Sequence, residues 1–245
     1  MALIGSFRMK IGILMCGDVP GTLKSTFGEY GQCLLQEFGL ADNNDIRIWN
    51  IYHGELPKLD EQCDVYIISG SPASVDDEVD WVANLIRFVQ NAFKKGKKLF
   101  GICFGHQLIH HALGGIVERS ANGWGLGVYS ASVHKNHWGL KQGQKVSLFS
   151  MHQDQVVKPA SGFDVIAGND FCPNYITSYQ EQVFTIQAHP EFSAQFFQAL
   201  LFERKEKFDD LAMSQAINSS KNTVDNIRVN MLISQFIKGN LSFSI

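Results

Sequence analysis

Short apolar runs alternate with amphipathic stretches along the first half of the chain. KIGILMCG, Lys10 to Gly17, closes on a glycine and predicts a first strand at Met9–Met15. Helical spacing through Tyr30, Leu34, Leu35 and Phe38 then predicts a helix over Thr26–Phe38. IRIWNIYHGELP predicts a second strand at Ile46–Ile51 and a loop ending near Pro57. DVYIISGSP predicts a third at Val65–Ser69, with a tight turn at Gly70, Ser71 and Pro72. The following stretch, to Lys98, reads as a helix with Val82, Leu85, Ile86, Val89 and Phe93 inward and a solvated cluster at Lys94 to Lys98. Strands alternating with helices at this spacing argue for an α/β chain with a mostly parallel sheet and right-handed crossovers.

After Gly115 the texture changes to short β-like segments, GVYSASVH, KVSLFSMHQ, FDVIAGND, YITSYQEQ and VFTIQAHP, separated by Gly, Asn and Pro. This half predicts a strand-rich extension leading back to the sheet. From Ser193 the pattern is helical again through FFQALLFERKEKF, followed by a polar linker near Asn218 to Asn222 and a last helix at Val224–Ile237. There is no internal repeat.

The run LFGICFGHQLIHHALGG, Leu99 to Gly115, carries the first chemical signal. Leu99, Phe100 and Ile102 end a buried strand, Gly101 and Gly105 flank Cys103, and Ile109, Ala112 and Leu113 share a helix face that Gly114 and Gly115 terminate. A thiol at such a strand-to-helix turn meets the positive end of the helix dipole, which favours thiolate. The N–H of the following residue, Phe104, would supply half of an oxyanion hole. A thiolate nucleophile needs a base and a group that orients it. AHPEF, Ala188 to Phe192, offers His189 as base, held extended by Pro190, and Glu191 two residues on to fix its tautomer. The ISGSP turn exposes the N–H groups of Gly70 and Ser71 at the same C-terminal sheet edge, where ligands of such sheets bind.

Length and charge narrow the alternatives. The chain has 245 residues, enough for one large α/β domain, and a formal net charge of −3, which gives no footprint for nucleic acid or an anionic membrane. Five scattered cysteines with no metal-ligand spacing point to a reducing cytoplasm, and no apolar run has the length of a membrane span. Residues 1–8 read as an N-terminal extension ahead of the fold.

GICFGHQ, AHPEF and the ISGSP turn together closely resemble the class I glutamine amidotransferases, whose nucleophile motif is GxCxGxQ and whose histidine and glutamate come from an HPE segment. The resemblance covers roughly residues 9–199, leaving 200–245 as a helical C-terminal extension packed on the same domain. It implies a flavodoxin-like sheet with an added β-rich segment. It also implies a Cys103–His189–Glu191 triad, an oxyanion hole from the backbone of Ser71 and Phe104, and substrate contacts from Gly70 and Gln107. GWGLG, Gly123 to Gly127, occupies the place of the family's backbone contacts to glutamine, and MHQDQV resembles the GMP-synthase-like branch. The match to stand-alone members of that branch, including γ-glutamyl peptidases, is closer still. Ser71 departs from the second glycine usual in the turn, which bears on the width of the pocket. Nothing after Ala199 resembles a synthase domain, so the acceptor is water, an amine or a separate synthase polypeptide.

Other candidates carry less. Trp124 reads as a pocket wall and Cys16 as structural. His106 and His110, at i and i+4, share a helix face that could hold a metal, yet no third ligand is evident, and these two with His111 read as structural or solvated. His152 and Asp154 shape the rim of the site, meet a partner, or form a local turn network. The leading expectation is hydrolysis of a γ-glutamyl amide through a Cys103 thioester, with no metal or organic cofactor. A protein idle until a synthase partner docks is the alternative, and a thiol redox protein is a weaker third reading.

Overall fold

The computed structural model describes residues 9–58 and 61–239, so the expected N-terminal extension lies outside them. The first half runs β1 (Ile11–Met15), α1 (Gly21–Phe27), α2 (Tyr30–Glu37), β2 (Ile46–Asn50), β3 (Val65–Ile68), α3 (Asp80–Lys94), β4 (Lys98–Ile102) and α4 (Phe104–Ala112). The second runs β5 (Ile116–Arg119), β6 (Gly125–Val133), β7 (Lys145–His152), β8 (Asp154–Lys158), β9 (Asp164–Gly168), β10 (Ile176–Tyr179) and β11 (Val183–Ile186). It closes with α5 (Ala194–Glu203), α6 (Asp210–Ser219) and α7 (Asn226–Lys238).

One sheet orders its strands β2-β1-β3-β4-β11-β10-β9-β6-β7. From β2 to β11 neighbours run parallel; from β11 onward they run antiparallel. The chain is thus α/β, with a mostly parallel sheet flanked by helices and a β-rich extension. β1, β3 and β11 are buried at every position, as continuous apolar runs in a doubly covered parallel sheet should be. Period-2 alternation sends Ile11, Ile13, Met15, Phe100 and Ile102 to one face, with α2, α5 and α7. Leu14, Tyr66, Ile68 and Leu99 go to the other, with α3 and α4. Phe236 of α7 packs on Phe184 of β11, with ring centroids 5.9 Å apart.

Four expectations change. The single helix over Thr26–Phe38 is two, because Gly28 takes φ 75°, ψ −164°, a conformation that suits glycine and ends α1; the chain restarts at Tyr30. Lys98 belongs to β4, and its ammonium donates to the Phe236 carbonyl at 3.2 Å and lies over that ring, so only part of the lysine cluster is a solvated helix end. β5 and β8 form a separate antiparallel pair, too short and too polar on one side to stand out in the sequence. α6 fills part of the region after FFQALLFERKEKF; Asp209 caps it by accepting from Ala212 N–H, and only Ala216 of this helix is buried, which is why no apolar stripe announces it.

Candidate active site

The parallel strands end together, and the segments leaving them gather at one place. β4 leads straight into Cys103, which sits at φ 50°, ψ −104°, outside the usual range for a side-chain-bearing residue, before α4 begins at Phe104. Two glycines make this elbow feasible. A Cβ on Gly101 would stand 2.6 Å from the backbone of Gly105, and one on Gly105 would run into the carbonyl of Ile68 on β3. The helix must lie against both strands, and only bare backbone permits it. Cys103 N–H donates to Ile186 O of β11 at 2.8 Å, tying the elbow to the strand that leads to His189. Cys103 is 4% exposed. Phe104 N–H is one of the first-turn donors that no helical carbonyl can reach.

His189 follows β11, its N–H donating to Phe149 O of β7 at 2.8 Å. Its Nδ1 is 2.6 Å from Glu191 Oε1, which leaves Nε2 to face outward toward a reacting group. The Phe192 ring stacks on the imidazole at 4.1 Å and 9°. Burial by itself would lower the imidazole pKa, but the Glu191 carboxylate, with Cys103 beside it, outweighs burial and raises it to about 10. Glu191 Oε1 accepts a second hydrogen bond, from the Tyr30 hydroxyl at 2.5 Å, while Oε2 is buried with no partner among the described residues. Burial, followed by the Glu191 charge, raises the Tyr30 pKa well above that of a free phenol, so it is a neutral donor.

The turn after β3 brings Gly70 and Ser71 against the imidazole. A Cβ on Gly70 would stand 3.0 Å from His189 Cε1, so any side chain there presses on the imidazole. Ser71 Oγ turns back to accept from Ala73 N–H at 3.1 Å; the serine therefore shapes its own turn and does not narrow the site. Gly70, Ser71, Tyr30 and His189 line one cleft with Met151 of β7 and Arg204 at the end of α5.

Gln107 is buried on α4 with its amide nitrogen 2.6 Å from Asp154 O and 3.3 Å from Gln187 Oε1, the side chain that also reaches Cys103. Trp124 packs edge-on against Phe208, at 5.0 Å. Gly127, at φ 114°, lies beneath α6, and the neighbouring Val128 N–H donates to Ser219 Oγ at 3.0 Å, so α6 covers this part of the GWGLG segment. His152 Nδ1 lies 3.2 Å from Asp154 O, and burial, aided by the charge of His189, lowers its pKa to about 4. His152 and Asp154 thus form a local network, while Met151 beside them reaches the rim. His106 and His110 are buried and joined to Thr185 and Thr177 at 2.7 and 2.8 Å, with the two threonines themselves hydrogen-bonded. Among the described residues no three His, Cys, Asp or Glu side chains gather as a metal site. Cys16 is buried and its thiol pKa is pushed up by that burial, as suits a structural residue. No described helix is long and apolar enough to cross a membrane.

Sequence reasoning missed four residues here. Tyr30 read only as an apolar helix position. Gln187 is fully buried, and its amide nitrogen lies 3.7 Å from Cys103 Sγ; alternation along the β11 segment from Thr185 through Gln187 to His189 could have flagged it. Arg204 and Met151 reach the cleft only through tertiary packing.

Comparison with known proteins identifies the family and the fold. The model of the family "Glutamine amidotransferase class-I" matches residues 32–207. γ-Glutamyl peptidase 3 of Arabidopsis thaliana is 26% identical over 233 residues, covering 89% of this chain and 92% of that protein. A glutamine-hydrolyzing GMP synthase subunit from Saccharolobus solfataricus is 32% identical over 185 residues, 75% of this chain and 89% of that protein. A glutamine amidotransferase structure from Methylobacillus flagellatus shares the fold at a TM-score of 0.73 and 19% identity, covering 96% of this chain and 94% of that one. With a thiol on a strained strand-to-helix elbow and a histidine–glutamate pair at the next strand end, this chain belongs to the class I glutamine amidotransferase family.

Proposed function

We propose that this protein hydrolyses the γ-amide bond of a γ-glutamyl compound, glutamine or a γ-glutamyl peptide or conjugate, through a thioester at Cys103. The observation that carries the reading is the imidazole of His189, bound through Nδ1 to Glu191 and raised in pKa by the charges on both sides of it. Such an imidazole holds its proton at neutral pH beside the Cys103 sulfur. The thiolate attacks the γ-carbonyl carbon, and the oxyanion that forms takes N–H donors from Ser71 and Phe104. His189 gives its proton to the departing ammonia or amine as the C–N bond breaks, then takes one from the water that attacks the thioester; the C–S bond breaks, and the sulfur leaves as thiolate beside the reprotonated imidazole. One oxyanion donor is worth roughly 3 kcal/mol in comparable sites. Gly70 leaves the imidazole room to move between these partners.

A second reading is kept because of the likeness to the GMP synthase subunit: the same chemistry supplies ammonia to a synthase chain and stays idle without it. Glutamate release from glutamine and from γ-glutamyl dipeptides, followed with and without Cys103→Ala, tests both. The first reading expects release by the isolated protein that Cys103→Ala abolishes. No release from any γ-glutamyl compound by the protein alone overturns it in favour of the second.

A further inference from the structure

α7 reaches back to the segment that carries Glu191. Asn226 and Asn230 stand at i and i+4 and so share a helix face. Asn226 Nδ2 donates to Phe192 O at 2.6 Å, and Asn230 Nδ2 donates to Pro190 O at 3.1 Å. The two carbonyls flank Glu191, and neither takes another donor among the described hydrogen bonds. Asn230 Nδ2 also donates to Glu37 Oε2 at 3.0 Å, at the end of α2, the helix that begins with Tyr30. One helix face therefore grips both segments whose side chains meet at Glu191 Oε1, where Tyr30 and His189 bind. The same helix buries Val229, Ile233 and Ile237 in the core. Both asparagine Oδ1 atoms are buried without a partner among the described residues. A half-paired amide is a poor choice for stability alone, since a leucine in this stripe would bury no unpaired acceptor. Asp225, just ahead of α7, accepts from Ser147 N–H of β7 and donates its own N–H to Ser147 O, each at 2.8 Å, which anchors the asparagines to the sheet.

We propose that Asn226 and Asn230 are positioning residues: they hold the turn from Pro190 to Phe192 so that the Glu191 carboxylate meets His189 Nδ1, which gives α7 a part in the reaction. The inference rests on the reading of Cys103, His189 and Glu191 as the reacting set. The turn has little support of its own. After His189 the chain bends through Pro190 and Glu191 before Ser193 caps α5, and the one described bond within the bend is a long contact, 3.4 Å, from Phe192 N–H to His189 O. Fixing the carbonyls on both sides of Glu191 sets the direction of its side chain. It also places the Phe192 ring that stacks on the imidazole. Neither asparagine touches the thiol or the imidazole in any described hydrogen bond, so both act through Glu191. Asn226 side-chain nitrogen has Phe192 O as its one described partner, which makes it the cleaner of the two to alter.

The test follows the imidazole itself. In full-length protein carrying nitrogen-15 histidine, the ring nitrogens of His189 are titrated by NMR between pH 5 and 11, with His189→Gln to assign the signal. Asn226→Leu, Asn226→Ala and Asn230→Leu should each lower the His189 midpoint by about 0.5 to 1 pH unit, the most that one net hydrogen bond can transmit. Asn226→Gln keeps the amide donor on a longer side chain and should recover part of that change. With Glu191→Gln already in place, Asn226→Leu should move the midpoint by less than about 0.2, because the asparagine acts through the carboxylate. Cys103, Tyr30, Cys33, Glu37 and His152, the other titratable groups facing Glu191 or His189, stay in place throughout. Urea melts confirm that each variant is folded. An unchanged midpoint in folded Asn226→Leu and Asn226→Ala, an equal change with Glu191→Gln in place, or a wild-type midpoint at the ordinary histidine value overturns the proposal. Glutamate release from glutamine and γ-glutamyl dipeptides is measured separately: its absence would sink the hydrolase reading, while the titration still decides this one.

Discussion

Replacing Glu191 by Gln keeps the shape of the His189 support and removes its charge. Glu191 Oε1 accepts from both His189 and Tyr30, and the amide oxygen can do the same. The new NH2 falls where Oε2 is buried with no described partner, leaving an unpaired donor that costs about 1–3 kcal/mol of stability. The larger effect is electrostatic. Two unit charges about 4 Å apart interact by roughly 4 kcal/mol at an effective dielectric near 20, equal to about 3 pH units. His189 stands at about 10, held there by Glu191 and Cys103 against burial. Without the carboxylate, burial pulls the imidazole back toward or below its ordinary value. The proton that His189 gives to the leaving amine is then lost at lower pH, so the basic limb of the kcat/KM profile should move down by roughly 2 to 3 units. At pH 8 the protonated fraction of His189 then falls about 2- to 10-fold, and kcat/KM should fall with it. The profile is read from glutamate release between pH 5 and 10, with a urea melt as a folding control. A folded Glu191→Gln protein whose basic limb stays in place and whose kcat changes less than about threefold would falsify the electrostatic role given to Glu191.

Tyr30→Phe removes the second donor to Glu191 Oε1 and should lower kcat about 5- to 30-fold, with KM little changed; an effect confined to KM would place the hydroxyl on the substrate instead. Gly105→Ala drives a methyl into the Ile68 carbonyl and should cost about 3 kcal/mol in urea unfolding, with a matching loss of Cys103 labelling by iodoacetamide; a stable, fully reactive variant would refute the packing argument. His106, His110 and His152 are buried and neutral, with pKa values lowered by burial, to about 3 for His110 and about 4 for His152. Above pH 6.5 neither state protonates them. Below it the unfolded chain binds protons that the fold refuses, so stability should fall with pH down to about 4 by as much as roughly 4 kcal/mol per unit, at about 1.4 per group. Urea melts at pH 7, 6 and 5 check the slope, and a flat stability across them contradicts it.

The elements that carry the chemistry were legible because each is a local pattern. Apolar runs ending in glycine or a tight turn mark buried parallel strands, and GICFGHQ and AHPEF place a thiol and an imidazole at two strand ends without any knowledge of the fold. Short polar-faced pieces such as β5, β8 and α6 were not legible, because they bury too little apolar surface to impose a period. The break at Gly28 was hidden as well, since a glycine within a helical pattern does not announce a positive φ until the chain is seen to need one.

By itself the sequence placed Cys103, His189 and Glu191 at the ends of two strands and set the α/β order of elements, all of which depend on neighbours within a few residues or on periodic burial. Only the tertiary structure decided what surrounds them. It joined Tyr30 to Glu191 across 161 positions of chain and Gln187 to Cys103 across 84, tied the Gln107 amide to the Asp154 carbonyl, covered part of the glycine-rich strand with α6, and swung Arg204 into the cleft. The reason is physical: backbone geometry and side-chain period are set locally, whereas the field and hydrogen bonds around a buried group are set by whichever distant segments the core brings against it.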